Sequence, residues 1–191
     1  MESKDEVIQL IHSFNSGNKD SFVQILNIVK ESVYKTIYAF VGNEENTVDV
    51  FDEVLYKAYV NLPTLKHPEF FKTWIIRIAI NESKNYLKKV SKIISFDEHG
   101  GIDNFNTEEN KMNGIQIAYN TDEKIDFENA LNKLNVDYKS ILLMKFYLNF
   151  TFEEIANSMQ KPTGTIKTWY YKALENLKEL LQHSAKEVHG K

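Results

Sequence analysis

The chain has 191 residues, 42% of them hydrophobic, and a formal net charge of −4, which suffices for one core or two small ones and argues against indiscriminate nucleic-acid binding. Seven glycines and three prolines favour helices over turn-rich β architecture, so an all-α fold is expected, and the absence of cysteine excludes a disulfide frame or a thiolate metal site. Met1 to Glu6 begins acidic, without a leader pattern, and the most apolar run, Trp74 to Ile80, is broken by Arg77 and falls far short of the roughly 20 residues of a bilayer span; a cytoplasmic protein without membrane insertion is expected.

Val7 to Phe14 reads as a short first helix, broken by Asn15-Ser16-Gly17-Asn18. Asp20 or Ser21 is placed to cap a second helix, in which Phe22, Ile25, Leu26, Val29, Val33, Ile37 and Val41 recur at helical spacing up to Gly42-Asn43. A third helix is expected from about Thr47 to Leu62, packing Phe51, Val54, Leu55, Ala58 and Leu62 inward and stopping before Pro63. On it Asp49, Asp52, Glu53 and Tyr56 stand at i, i+3, i+4 and i+7 and share one face. Residues alone leave this a solvated acidic face or a docking surface for a basic protein.

Pro63 to Pro68 is a loop and Glu69 to about Val90 a fourth helix, with Phe71, Trp74, Ile75, Ile78, Tyr86 and Leu87 toward a core. Arg77, Asn81, Lys84 and Lys88, at i, i+4, i+7 and i+11, form a second stripe, with Asn85 beside it. Cations hold phosphates and Asn carries the paired donor and acceptor that suit a base edge, although a snorkelling surface stripe has the same pattern. Ser95 to Thr121, rich in Asn, Asp, Glu and Gly, follows neither period and reads as a flexible linker. The expected organisation is therefore a domain over 1–92, a linker over 93–121, a second domain over 122–184 and a tail over 185–191.

Beyond Asp122, Phe127, Leu131 and Leu134 make one apolar stripe and Tyr138, Ile141, Leu142 and Phe146 another, separated by Asn135-Val136-Asp137. Thr151 with Glu154 is a capping box that opens a short helix, whose stripe of Phe152, Ile155, Ala156 and Met159 stops at Gln160-Lys161. Pro162 fits the first turn of a last helix, in which Ile166, Tyr170, Ala173, Leu174 and Leu177 are buried and Thr163, Thr165, Lys167, Thr168, Tyr171 and Lys172 lie away from that stripe. Two helices joined by a tight turn, the second carrying Lys167, Lys172 and Lys178 against Glu175, form a helix-turn-helix suited to phosphates and base edges. The segment after Gln182 reads as a frayed tail. His12, His67, His99, His183 and His189 show no ligand spacing, and no P-loop, GxGxxG, GxSxG or isolated carboxylate pair is found, so no metal, no cofactor and no enzymatic activity are expected.

Phe150 to Ala156 and Pro162 to Lys167 resemble the region-four helix-turn-helix of bacterial sigma factors, in particular the small extracytoplasmic-function group. Asp49 to Tyr59 resembles the region-two surface that docks on core RNA polymerase, and Phe71 to Asn81 is similar to the family's promoter-melting signature. The resemblance implies that Asp49, Asp52, Glu53 and Tyr56 meet core RNA polymerase. It implies that Lys66, His67, Arg77, Asn81, Lys84, Asn85 and Lys88 hold the melted downstream promoter element, with Leu65 to Phe70 forming a pocket for an extruded base. Thr163, Thr165, Lys167, Thr168, Tyr171 and Lys172 would read the upstream element as duplex, with an anti-sigma factor as a further partner and a monomer as the working state. The chain departs from the family pattern at Asp52, where the position stays polar and its charge changes, at Glu82 and Asn85, so that base preference does not carry over from relatives, and at Gln160, Lys161 and Trp169, which bear on the target sequence. A stand-alone helix-turn-helix regulator, or a degenerate sigma-like adaptor that binds polymerase or an anti-sigma factor, would share part of these features.

Overall fold

The computed structural model describes residues 4–97, 127 and 129–189. These residues are helical and contain no strand; from residue 98 onward, the expected linker lies outside the described residues. They fall into two compact units, one within Met1–Asn110 and the other within Lys111–Lys191.

The first unit holds α1 (Lys4–Asn15), α2 (Asp20–Val41), α3 (Glu44–Asn61), two 3₁₀ turns (Leu62–Thr64 and Pro68–Phe70) and α4 (Phe71–Asp97). Helix α2 is the central element, against which α1, α3 and α4 all pack. Of its stripe, Phe22, Ile25, Val29, Val33, Ile37 and Val41 are buried as the spacing predicts and Leu26 is half-buried; Ile11 and Phe14 of α1, Val54 and Ala58 of α3, and Phe71 and Ile75 of α4 are buried with them. Each such Val, Ile or Phe side chain contributes about 1.5 to 3 kcal/mol on burial.

The helix starts differ from expectation for local reasons. Neither Asp20 nor Ser21 caps α2: Asn18 Oδ1 accepts from the Asp20 backbone N–H (3.2 Å), while the buried Ser21 donates its hydroxyl to Ser13 Oγ (2.8 Å). Gly17, at φ 108°, turns the chain so that the amide of Asn18 can reach back. Helix α2 ends at Gly42 in the left-handed conformation (φ 83°). Helix α3 opens at Glu44, ahead of the expected Thr47, because Asn43 is extended and its side chain accepts from the Asn46 N–H (2.9 Å). Val50 belongs to the core, while Phe51 and Leu55 are half-buried. Helix α4 opens at Phe71, since Pro68-Glu69-Phe70 forms its own 3₁₀ turn, and continues past Val90 to Asp97. It buries Ile76, Ala79 and Ile80 beside Phe71 and Ile75, and leaves Trp74, Ile78, Tyr86 and Leu87 half-buried.

In the second unit a helical stretch at 129–133 precedes α5 (Val136–Leu142), a π-helical turn (Leu143–Tyr147), α6 (Phe152–Met159) and α7 (Thr163–His189). Ala130, Leu131, Leu134, Leu142, Ala173 and Leu177 make one core cluster, with Phe127, Tyr138, Tyr170 and Leu174 packed on it. The π turn overturns one expectation: Phe146 is 62% exposed. A π turn holds one residue more than an α turn, so the stripe rotates; Leu143 and Met144 fill the interior and Phe146 swings out. Helix α7 begins one residue after Pro162, whose carbonyl accepts from the Ile166 N–H (3.1 Å), and runs beyond Gln182 to His189.

Candidate functional site

Three surfaces hold the residues that the sequence singles out, two on the first unit and one on the second. On α3, Asp49, Asp52, Glu53 and Tyr56 are all exposed and share one face. Tyr56, at 65% exposure, is an aromatic ring amid carboxylates. Glu53 is less available than its spacing suggests, because its Oε1 lies 3.1 Å from Lys57 Nζ.

Lys57 continues across to the next helix, where its Nζ stands 2.6 Å from Glu82 Oε2. The Glu82 carboxylate, the more buried end of this pair, holds the Lys57 ammonium pKa above its ordinary value, chiefly through the hydrogen bond. Glu82 also accepts from Asn85 Nδ2 (3.4 Å). A departure from the family pattern thus has a structural role, and the sequence gives no local signal for it because the partners are far apart in the chain.

On α4, Asn81, Asn85 and Lys88 are exposed, while Arg77 and Lys84 are half-buried along the same side. The preceding loop holds the exposed Lys66 and His67 between the two 3₁₀ turns, which are closed by the Leu65 N–H to Leu62 O and the Phe70 N–H to His67 O bonds. His67 Nδ1 is 3.2 Å from Glu69 Oε1, and its ring sits 6.2 Å from that of Phe70. Phe70 is 41% exposed, whereas Trp74 is half-buried against Phe71, ring centroids 5.8 Å apart. Of Phe70, Phe71 and Trp74, Phe70 is the most exposed.

The third surface is the helix-turn-helix. Both halves of the capping box form: the Glu154 N–H donates to Thr151 Oγ1 (3.2 Å) and the Thr151 N–H donates to Glu154 Oε2 (2.8 Å). Gln160 adopts φ 54° at the end of α6, and the Lys161 N–H closes on Ala156 O (3.1 Å), which makes the turn between the helices. Ile166, Ala173 and Leu177 bury one side of α7. Lys167, Thr168, Tyr171 and Lys172 are exposed on the other, with Thr163 and Thr165 half-buried at its start. The Thr168 hydroxyl donates back to Gly164 O (3.0 Å), leaving its oxygen as an acceptor. Among the described residues no cluster of His, Asp and Glu could hold a metal ion, and no helix is long and apolar enough to cross a membrane.

A four-helix unit with a cationic and amide-bearing face, together with a unit ending in a helix-turn-helix, defines an all-α protein of the DNA-binding class. Two family models match the chain, sigma-70 region 2 over residues 28–93 and sigma-70 region 4 over residues 124–177, together well over half of its length. The chain belongs to the sigma-70 family and is a sigma factor of its extracytoplasmic-function group, acting in transcription initiation. It is 29% identical to the RNA polymerase sigma factor SigV of Bacillus subtilis over 146 residues, covering 76% of this chain and 82% of that one. It is 24% identical to the sigma factor SigW of the same organism over 177 residues, covering 90% and 95%. The fold is similar to that of the sigma factor RpoE from Bartonella quintana, solved with the anti-sigma factor NepR, at a TM-score of 0.67 and 22% identity, covering 84% of this chain and 96% of that one. CnrH, solved with the cytosolic domain of CnrY, gives the same TM-score at 16% identity, covering 95% and 99%.

Proposed function

We propose that the two units divide promoter recognition between them. The chain binds core RNA polymerase through the α3 face of Asp49, Asp52, Glu53 and Tyr56, holds the melted strand of the downstream element along α4, and reads the upstream element as duplex with α7. The observation that carries this reading is the segregation of charge on packed helices: carboxylates on α3, cations with amides on α4, and Lys167 and Lys172 on the outer side of α7. Carboxylates suit a basic protein surface; lysines and asparagines suit phosphates and base edges. Phe70 would stack on an extruded base, which costs a few kcal/mol to unstack, while Lys66, His67, Arg77, Asn81, Lys84, Asn85 and Lys88 hold the strand. Thr163, Thr165, Lys167, Thr168, Tyr171 and Lys172 contact the major groove and its phosphates. An anti-sigma factor would hold the chain inactive, as the NepR complex of the Bartonella protein suggests. The chain works as a monomer in the cytoplasm, without catalytic activity of its own.

The experiment is reconstituted transcription. Core polymerase with this chain is used to select promoters from a random duplex library, and the recovered template is tested for run-off product and for permanganate-reactive thymines in the downstream element. Product and melting that depend on the chain, and that Asn81→Ala with Lys84→Ala weakens at the melting step, support the reading. Product without any dependence on the α4 residues would overturn the assignment of the strand to α4.

A further inference from the structure

Glu82 puts a carboxylate on the helix that carries the cationic and amide-bearing stripe, and two side chains hold it there. Its Oε2 lies 2.6 Å from Lys57 Nζ on α3, and its Oε1 accepts from Asn85 Nδ2 (3.4 Å), one turn further along α4. The Glu82 side chain is 14% exposed and pinned by an ion pair, whereas Asn85 is exposed, so the carboxylate is the fixed partner and the amide the one it orients. An ionised carboxylate only accepts hydrogen bonds; it therefore takes the amide by its nitrogen and turns the carbonyl oxygen away. Among the described residues nothing donates to Asn85 Oδ1, which leaves that oxygen as an outward acceptor. An untethered asparagine rotates to offer donor or acceptor alike, and this one is set.

An unpaired base exposes its pairing edge, and the four bases differ there at one substituent that such an acceptor senses. Adenine and cytosine project an exocyclic amine, N6 or N4, where guanine and thymine carry a carbonyl oxygen, O6 or O4. The amine donates to Asn85 Oδ1; the carbonyl oxygen meets that oxygen with like partial charge, in front of a full carboxylate. An acid beside a nucleic-acid strand also repels its phosphates, and Lys57 offsets that charge from the α3 side.

We infer that Glu82 is a specificity-determining positioning residue: by fixing Asn85 with its carbonyl outward, it makes the chain select adenine or cytosine over guanine or thymine at one position of the melted downstream element, with Lys57 as the counter-ion that lets an acid stand beside the strand. The inference rests on the reading of α4 as the strand-holding helix, and it adds the chemical class of base which that helix selects.

The test is binding of the holoenzyme, reconstituted with the full chain, to templates whose downstream element is opened in advance as a mismatched bubble, with each of the four bases placed at each position. Binding is measured well below the unfolding temperature of every variant, so that a purely structural loss does not enter. The wild type is expected to favour the two amino bases over the two keto bases by about five- to fiftyfold at one position. Glu82→Gln, which can turn either end of its own amide to Asn85, should reduce that preference to less than about twofold, and Asn85→Ala should abolish it. Lys57→Met should weaken all four bubbles alike, roughly three- to tenfold, and Lys57→Met/Glu82→Gln should recover the affinity without the preference. A wild-type preference retained in both Glu82→Gln and Asn85→Ala, while Asn81→Ala/Lys84→Ala weakens every bubble, would overturn the inference and leave the reading of α4 intact. Wild-type binding of every bubble by Asn81→Ala/Lys84→Ala would overturn that reading and the inference with it.

Discussion

Lys57 Nζ lies 2.6 Å from Glu82 Oε2 and joins the acidic face of α3 to the cationic side of α4. Glu53 shares the same ammonium at 3.1 Å, so a surface assigned to polymerase and one assigned to DNA meet through a single lysine.

Removing Glu82 should therefore cost more than an ordinary surface substitution. Lys57 is 37% exposed, so solvent screens the pair, and Glu82→Gln is expected to lower stability by about 1 kcal/mol. Glu82→Arg, which places a cation against Lys57, should cost more. Thermal unfolding of the full chain in low and high salt checks both, the loss shrinking as salt rises.

A second expectation concerns pH. Lys139 is buried in α5, its Nζ donating to Asn132 Oδ1 (2.6 Å), and burial pulls its pKa from 10.5 down to about 8. Between those values the unfolded chain binds the extra proton, so this lysine makes the second unit more stable as pH rises from about 8 toward 10.5; below 8 its full cost is present. Lys139→Met should raise stability at pH 7 by on the order of 1 to 3 kcal/mol and flatten the rise above pH 8, as followed by urea unfolding.

The capping box makes a local prediction. Thr151→Ala removes the acceptor for the Glu154 N–H and should cost about 1 kcal/mol, weakening the helix-turn-helix without touching α7. Hydrogen exchange at the first turn of α6 would report it directly; unchanged protection there would contradict the role of the cap.

The π turn predicts opposite outcomes for neighbouring apolar residues. Phe146→Ser should change stability by less than about 1 kcal/mol, because that ring is already exposed, whereas Met144→Ala, at 0% exposure, should cost about 2 to 5 kcal/mol. Equal costs would contradict the rotated register.

The π turn also marks where sequence reading reached its limit. An apolar stripe extrapolated at 3.6 residues per turn places Phe146 inside, and nothing in the sequence between Tyr138 and Phe146 signals the extra residue. The α2 stripe, the Gly42 stop and the Thr151 capping box were legible because each depends on residues within one or two turns of each other. The Lys57 to Glu82 pair was not, since it joins two helices that only tertiary packing brings together. Asn18 and Asn43 act on neighbours two and three residues away, at helix starts that the hydrophobic period alone sets a few residues off.

The central claim is that the α3 face docks on core RNA polymerase, and size-exclusion chromatography of the purified chain with sigma-free core enzyme tests it most directly. Because Glu53 is tied to Lys57, the informative variant reverses Asp49 and Asp52 alone, both to Lys. The account predicts stable co-elution of the wild type and its loss in Asp49→Lys/Asp52→Lys, with the variant's unfolding temperature unchanged. Co-elution undiminished by the reversal would contradict the docking face, and a wild type that fails to co-elute where a known sigma factor does would contradict polymerase binding itself.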